Sequence, residues 1–454
     1  MNKIKYFTLL LCMFFSLEGI AQTAKSAYFL DGTFHNFRLN PAMQAERGFF
    51  TLGLGNTSIG TNGNVGISHF LYPQDDHLAT FMSGTVDQDE FINRLPKQIR
   101  LGMNFDETLL ACGFRMLGGY TSFSVSMHSN TSIALPKGFF EFAKKGLQEQ
   151  YYNFSGINMN SQSYATAALG YSHEVYKGLR VGANFKYIMG LAYADVTFDK
   201  FNIELSEKRW MIEGNAQAQA ALCCEIYKTE DNNTEGIQLG RFAPTAHGFA
   251  IDLGVVYDMK EFVPGLTLST SILDLGMVNW KQMISIQDDG SPIKWEGLTE
   301  TTISEMQNEL ENRLDNLDDK VYEIMVLDID EVSPKSTNLN AVMYIGAEYN
   351  MPFYKPLSVA MLYGRKFSNA SCEWDDMRAY VNIAPLKWFE ASANISYSTF
   401  GTSWGWMLNF HPVGFSFFVG SDHMISKITP QYLPVNKFNS HFTMGINFPV
   451  GKLK

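Results

Sequence analysis

The sequence predicts an all-β fold, a transmembrane antiparallel β-barrel. Three observations point there. Segments that alternate apolar with small polar residues recur from Gln98 to the last residues. Short Gly/Pro turns alternate with longer polar connections between them. The charges inside the segments keep to the polar face. An extended chain throws successive side chains to opposite sides, so each segment is a ribbon with one greasy and one polar face.

The first element is a targeting segment, residues 1–21. Lys3 and Lys5 give a basic start, Tyr6–Leu17 is apolar, and Gly19 and Ala21 supply small residues for cleavage before Gln22. The apolar run is too short to cross a bilayer, which takes roughly 20 residues. Cys12 sits too early, inside that run, for a lipoprotein signal. No later stretch reaches the ~18 apolar residues of a membrane helix. The chain is therefore read as exported, and either soluble outside the cytoplasm or inserted as a barrel.

Residues 22–97 are read as a plug or hatch and first strand region. Asn40-Pro41-Ala42 reads locally as a turn, because the residue before proline is pushed out of the helical region. With Tyr28-Phe29-Leu30 ahead of it and the Gly/Asn-rich stretch Leu52–Gly66 behind, this opening resembles the N-terminal segment of FadL/PorV-like outer-membrane proteins. More closely it resembles an uncharacterised Bacteroidetes-type family allied to them. The resemblance implies about fourteen strands. It also implies that the segment around Asn40, Pro41 and Ala42 plugs the lumen.

Residues 98–450 are read as the barrel. A short helix is expected over Asp87–Leu95, then strands at Ile99–Phe105, Leu110–Met116 and Phe123–Met127. Pro136–Leu147 is a short amphipathic helix in a loop, with Phe139, Phe140 and Phe142. Leu179–Met189 is a clean strand, and Ala194–Leu205 and Trp210–Ala221 are read as two more. Phe249–Tyr257 and Leu266–Leu275 follow. Then comes an insertion, 289–335, in which Glu300–Lys320 has one apolar stripe at helical spacing. Strands resume at Met343–Tyr349 and run to Phe442–Phe448, which closes the barrel. Counted from Gln98, the pattern gives about sixteen strands, so the expectation is fourteen to sixteen.

Turn lengths orient the barrel. The turns at Leu117-Gly118-Gly119, Tyr176-Lys177-Gly178, Pro264-Gly265, Ala384-Pro385-Leu386 and His411–Gly414 fall on one side. The long connections near 130–160, 223–245, 289–335 and 421–437 fall on the other. Outer-membrane barrels pair short periplasmic turns with long outer loops. Charge parity then assigns the lumen: Arg100, Asn104, Arg180, Asn184, Lys186, Asp252, Glu348 and Glu390 share faces with Gly, Ser and Asn. A Lys or Arg facing lipid at mid-bilayer costs roughly 2–4 kcal/mol. A register slip of one residue would turn all of these outward.

Composition excludes several functions. The formal net charge is -11, which repels nucleic-acid phosphates. Aromatics make up 14%, which suits strands and interfacial girdles. Cys112, Cys223, Cys224 and Cys372 form no framework, and vicinal Cys223 and Cys224 strain any mutual disulfide. No catalytic motif appears, so neither an enzyme nor a cofactor is expected. His173-Glu174 and the acidic Asp328, Asp330 and Glu331 are read as solvated surface.

The resemblance implies an outer-membrane barrel of a Gram-negative bacterium for uptake or passage of hydrophobic small molecules. The alternative is a non-transporting barrel that serves as an accessory or docking component of a type IX secretion or gliding-type machinery. The expected partners are membrane lipids, a hydrophobic solute, and other outer-membrane or secretion-system proteins.

Overall fold

A computed structural model describes residues 24–451, apart from 46, 75–77, 146–149, 206–208, 232–233, 243–245, 288–292, 297–330, 369–372 and 425–437. The targeting segment, the Glu300–Lys320 helix, Asp328, Asp330 and Cys372 lie outside the described residues.

Nineteen strand segments form one sheet. Five positions in it are each filled by two segments, which leaves fourteen strands around the wall. These are β1 (Gly48–Leu52 and Thr57–Gly63), β2 (Gln98–Met116), β3 (Gly119–Pro136), β4 (Gln150–Asn153 and Ile157–Tyr176) and β5 (Leu179–Leu205). Next come β6 (Arg209–Leu222 and Ala246–Asp258), β7 (Leu266–Gln287 and Ile293–Glu296), β8 (Glu331–Asn338 and Val342–Asn350) and β9 (Leu357–Lys366). The last five are β10 (Trp374–Leu386), β11 (Phe389–Ser398), β12 (Gly401–Phe410), β13 (Ser416–Ser421) and β14 (Ser440–Val450).

Every neighbouring pair is antiparallel. β14 returns to β1 through Gly48↔Val450 and Thr61↔Ser440, so no edge remains exposed. The Phe50 and Phe448 rings stack across that seam at 5.1 Å.

Counted from Gln98, the expected sixteen become thirteen, with β1 as the fourteenth, because three expected pairs merge: Ile99–Phe105 and Leu110–Met116 are both parts of β2. Ala194–Leu205 is the upper half of β5, since a single segment runs from Leu179 to Leu205. Trp210–Ala221 and Phe249–Tyr257 share one position. Both descend along β5, the first against 192–205 and the second against 179–189. Between them the chain leaves the wall as a separate hairpin, Cys224–Asp231 with Thr234–Phe242. The 223–245 segment is thus an insertion within a strand and not a connection between two.

The short turns fall at one end as expected, but much of the long connection expected near 130–160 is strand, since β3 runs to Pro136 and β4 resumes at Gln150. One end carries the turns Leu117–Gly118, Lys177–Gly178, Lys387–Trp388 and three longer ones. Leu117 (φ 55) and Gly118 (φ 77) both adopt the left-handed conformation that fits a two-residue hairpin to the strand twist. Pro385 is still in strand β10, so that turn falls two residues later than its Pro-containing sequence suggests. Exposed aromatics ring this end: Tyr176, Phe262, Phe353, Trp388 and Phe415. Aromatic girdles mark the membrane–water boundary of such barrels.

At the loop end, Leu71–Pro73 pairs with Leu78–Thr80. Helix α1 (Gln88–Arg94) is capped by Asp87, whose carboxylate accepts the Glu90 N–H at 2.8 Å. Helix α2 (Lys137–Lys145) packs Phe140 against Phe70 and Phe81, while Phe142 meets Tyr152 and Phe154. The result is a small aromatic cap on one rim.

The wall has the predicted two faces. Phe185, Phe249, Ile345, Met361, Val381 and Phe442 are exposed outward. Asn184, Asp252, Asn382, Asn394, Thr443 and Asn447 are buried inward. Phe185 sits in the apolar belt beside Phe249, with ring centroids 5.6 Å apart. Phe185→Lys is expected to lower the unfolding free energy in phospholipid vesicles by roughly 2–4 kcal/mol, read by urea titration. An unchanged midpoint would mean that this face does not meet acyl chains.

Candidate functional site

The lumen is filled by the chain's own N-terminal part. Residues 24–45 and Arg47 run inside the wall, held by 3-10 turns at Lys25–Ala27 and Asn36–Arg38. Internal bonds such as Tyr28 N–H to the Lys25 carbonyl and Asn40 N–H to the Asn36 carbonyl satisfy part of its backbone, and the remaining backbone groups need partners on the wall. The wall's inward polar residues supply them.

Asn40-Pro41-Ala42 shows how close the fit is. Asn40 is fully buried, and its side-chain amide donates to the Val255 and Thr270 carbonyls at 3.3 and 3.2 Å. Its side-chain oxygen accepts the Ala42 N–H at 3.0 Å, which fixes the turn that proline starts. Directly beneath lie Gly182 of β5 and Gly254 of β6, which are cross-strand partners. A Cβ on Gly182 would come within 2.2 Å of the Pro41 carbonyl oxygen, and one on Gly254 within 2.1 Å of the Asn40 side-chain oxygen. The two glycines form a seat that only a bare backbone provides.

Two ionic clusters pin the rest. The first lies toward the loop end. Lys25 Nζ contacts Asp376 at 2.7 Å and sits 3.6 Å from the centre of the Trp374 ring. The Lys25 and Ser26 N–H groups both donate to the Asp422 carboxylate, at 2.9 and 2.7 Å. Arg378, with its side chain sealed from solvent, donates from Nε to Asp376 at 2.9 Å and from Nη1 to Asn394 at 3.0 Å.

The second cluster lies across the lumen. Arg38 bridges to Asp106 at 2.7 Å, and His128 Nδ1 meets the same carboxylate oxygen at 2.9 Å. Lys186 contacts both Asp252 (2.8 Å) and Asp274 (2.7 Å). Asp274 sits in a bulge of β7 opposite Asp252, with φ 58, and donates its N–H to Asp252 at 2.8 Å.

The residues expected to face the lumen divide into two groups. Asn184, Lys186 and Asp252 come together in the second cluster, where Asn184 also donates to the Phe37 carbonyl of the N-terminal segment. Glu390 accepts the Gly32 N–H of that segment with both carboxylate oxygens, at 3.1 and 3.0 Å. Asn104 lines the space beside Lys25 and Asp376. Arg100, Arg180 and Glu348 stand apart from these clusters. Arg100 bonds Gln98, Arg180 lies at the turn end of β5 opposite Glu174, and Glu348 accepts from Ser358 at 2.6 Å.

The sequence reading missed Lys25, Arg38, Asp106, Asp274, Asp376, Arg378 and Asp422. Asp376 and Arg378 lie in phase with Tyr380 on β10, so extending that alternation toward Trp374 finds them. His173-Glu174 is structural: Glu174 accepts the Gly178 N–H at 2.9 Å and closes the β4–β5 turn. Among the described residues, no group of three or more His, Cys, Asp or Glu side chains is placed to hold a metal ion, and Cys112 and Cys224 form no disulfide.

The profile of a family of unknown function, DUF5723, matches residues 41–422. No curated protein sequence matches. Among solved structures, the Pseudomonas putida toluene transporter TodX is similar over 96% of each chain, with 8% identity and a TM-score of 0.39. A Pseudomonas aeruginosa FadL homologue is similar over 95% of each chain, with 9% identity and a TM-score of 0.34. The translocator domain of the autotransporter NalP from Neisseria meningitidis covers 90% of each chain, with 8% identity and a TM-score of 0.32.

Proposed function

The chain belongs to the DUF5723 family of unknown function, and from that premise we propose that it is an outer-membrane barrel for passage of small hydrophobic molecules, with residues 24–47 as its plug. The observation that carries the reading is the seat of Asn40-Pro41-Ala42 on the Gly182–Gly254 pair. The plug is docked on the wall through side chains and packing, without joining the sheet, so it can leave while the barrel stays closed. An apolar outer belt and a turn-end aromatic girdle support the membrane location.

A greasy solute would enter through the aromatic cap of Phe70, Phe81, Phe91 and Phe140. It would not run the length of the lumen, which is lined by charges and amides and would cost it its apolar contacts. An apolar groove of about 410 Å3 lies on the outer face between Ile345, Met361 and Met377, over strands whose pairing is unbroken, and offers such a solute a surface at the lipid side.

Deletion of residues 24–47 from the mature chain tests the plug. Planar-bilayer conductance is expected to rise at least tenfold, while the barrel still resists unfolding in cold detergent. Toluene accumulation by cells that express the full chain, compared with cells that lack it, tests the solute class. Equal accumulation would exclude hydrophobic passage.

The second reading, a docking component of a secretion-type machinery, is favoured by the ion pairs that hold Lys25 and Arg38. A lumen that stays closed after the deletion, with a protein partner copurifying in fixed ratio, would select it.

A further inference from the structure

We propose that the lumen cavity beside β8 and β9 is a binding site for a small organic monoanion, a carboxylate of a few carbons. The proposal does not depend on passage through the barrel.

The cavity has a volume of about 90 Å3. A single water needs roughly 10–15 Å3 on the same measure, so a molecule of several heavy atoms fits. Its acidic groups are already engaged. Asp252 and Asp274 share Lys186, and Asp106 takes Arg38 and His128 on one oxygen while its other oxygen is sealed in the wall.

Lys366 is different. It is 5% exposed and lines the same cavity, yet among the described residues its ammonium has no ion pair or hydrogen bond. The hydroxyls of Tyr344, on the neighbouring strand, and of Tyr164, from β4, likewise have no hydrogen-bond partner among the described residues. All three residues line the cavity.

A buried ammonium without a counter-charge is costly, and an ionised acceptor strengthens each bond that it takes. One ammonium and two phenol donors match the two oxygens of a carboxylate, which offers acceptor sites and no donor. A second negative charge on the ligand would face Asp106, Asp252 and Asp274 across the same space, so a monoanion is preferred to a dianion.

The test is calorimetric titration of the detergent-purified full mature chain with acetate, lactate, succinate and chloride at constant ionic strength. Saturable binding of acetate or lactate is expected, with succinate and chloride at least tenfold weaker. Lys366→Met should weaken the bound monocarboxylate at least tenfold and Tyr344→Phe severalfold. The proposal is overturned if the wild type binds neither acetate nor lactate, if chloride matches them, or if Lys366→Met binds as the wild type does. If Lys366→Met fails to fold, Tyr344→Phe decides, and undiminished binding there overturns it.

Discussion

Gly254→Val will expel the N-terminal segment from the lumen and leave the wall standing. The added Cβ would lie 2.1 Å from the Asn40 side-chain oxygen, 2.8 Å from Pro41 Cδ and 2.9 Å from the Pro41 nitrogen. Two of these are atoms of the proline ring, so no side-chain rotation relieves the clash. Asn40 would have to move, and with it the bonds to Val255, Thr270 and Ala42. Each such bond contributes roughly 1 kcal/mol, and a buried amide left unpaired costs about 1–3 kcal/mol more.

β6 itself loses nothing, because a valine suits a strand and its ladder bonds to Gly182 and Ser271 are backbone bonds. Two readouts should move together. Protease added to the detergent-solubilised protein should cut between residues 24 and 47, and bilayer conductance should rise severalfold or more. Gly84→Val is the control, since a Cβ there meets nothing within 4 Å. A Gly254→Val protein with a protected segment and a closed lumen would show that the glycine pair does not seat the plug.

Alternation carried most of the wall into the sequence. In β14, Phe442, Met444, Ile446 and Phe448 oppose Thr443 and Asn447, and both polar residues are fully buried. In β5 the same rule turns Asn184 and Lys186 inward. The signal failed where the backbone departs from period two. Leu109 is an extra residue in β2, so Asp106, Glu107 and Thr108 fall beside a register shift and their face is unreadable. Asp274 is hidden in the same way by the bulge in β7. Gly53 to Asn56 interrupt β1, which makes a barrel strand look like a loop.

Length misled as well. A 27-residue strand such as β5 stands well clear of the bilayer, so its upper half reads as a second strand. The clusters themselves were beyond reach for a different reason. Lys25 meets Asp422 from 397 residues away, and no local period encodes which charge on the plug answers which charge on the wall.

Replacing Arg378 is expected to give the largest loss of stability in the molecule. Around it, two cations, Lys25 and Arg378, face two carboxylates, Asp376 and Asp422. The Arg378 side chain is sealed from solvent, and those of Asp376, Asp422 and Lys25 are nearly so. Arg378→Met leaves Lys25 alone against both acids, so one buried negative charge has no partner. Breaking a buried pair from one side costs roughly 3–5 kcal/mol, because the orphaned charge has neither water nor a counterion. The loss should appear as a lower urea midpoint in detergent.

Lys25→Met leaves the same imbalance, Arg378 alone against both acids, but keeps the Lys25 and Ser26 N–H bonds to Asp422, so it should fall at the lower end of the same range, about 3 kcal/mol. The decisive comparison is Arg378→Met combined with Asp422→Asn. The double variant restores one cation to one anion, and the side-chain oxygen of the introduced amide would still accept from Ser26. If unbalanced charge is what destabilises the single variant, the double variant should be the more stable of the two. If instead the two losses add, the cluster acts through its contacts alone, and the segment is held by hydrogen bonding without any role for charge balance.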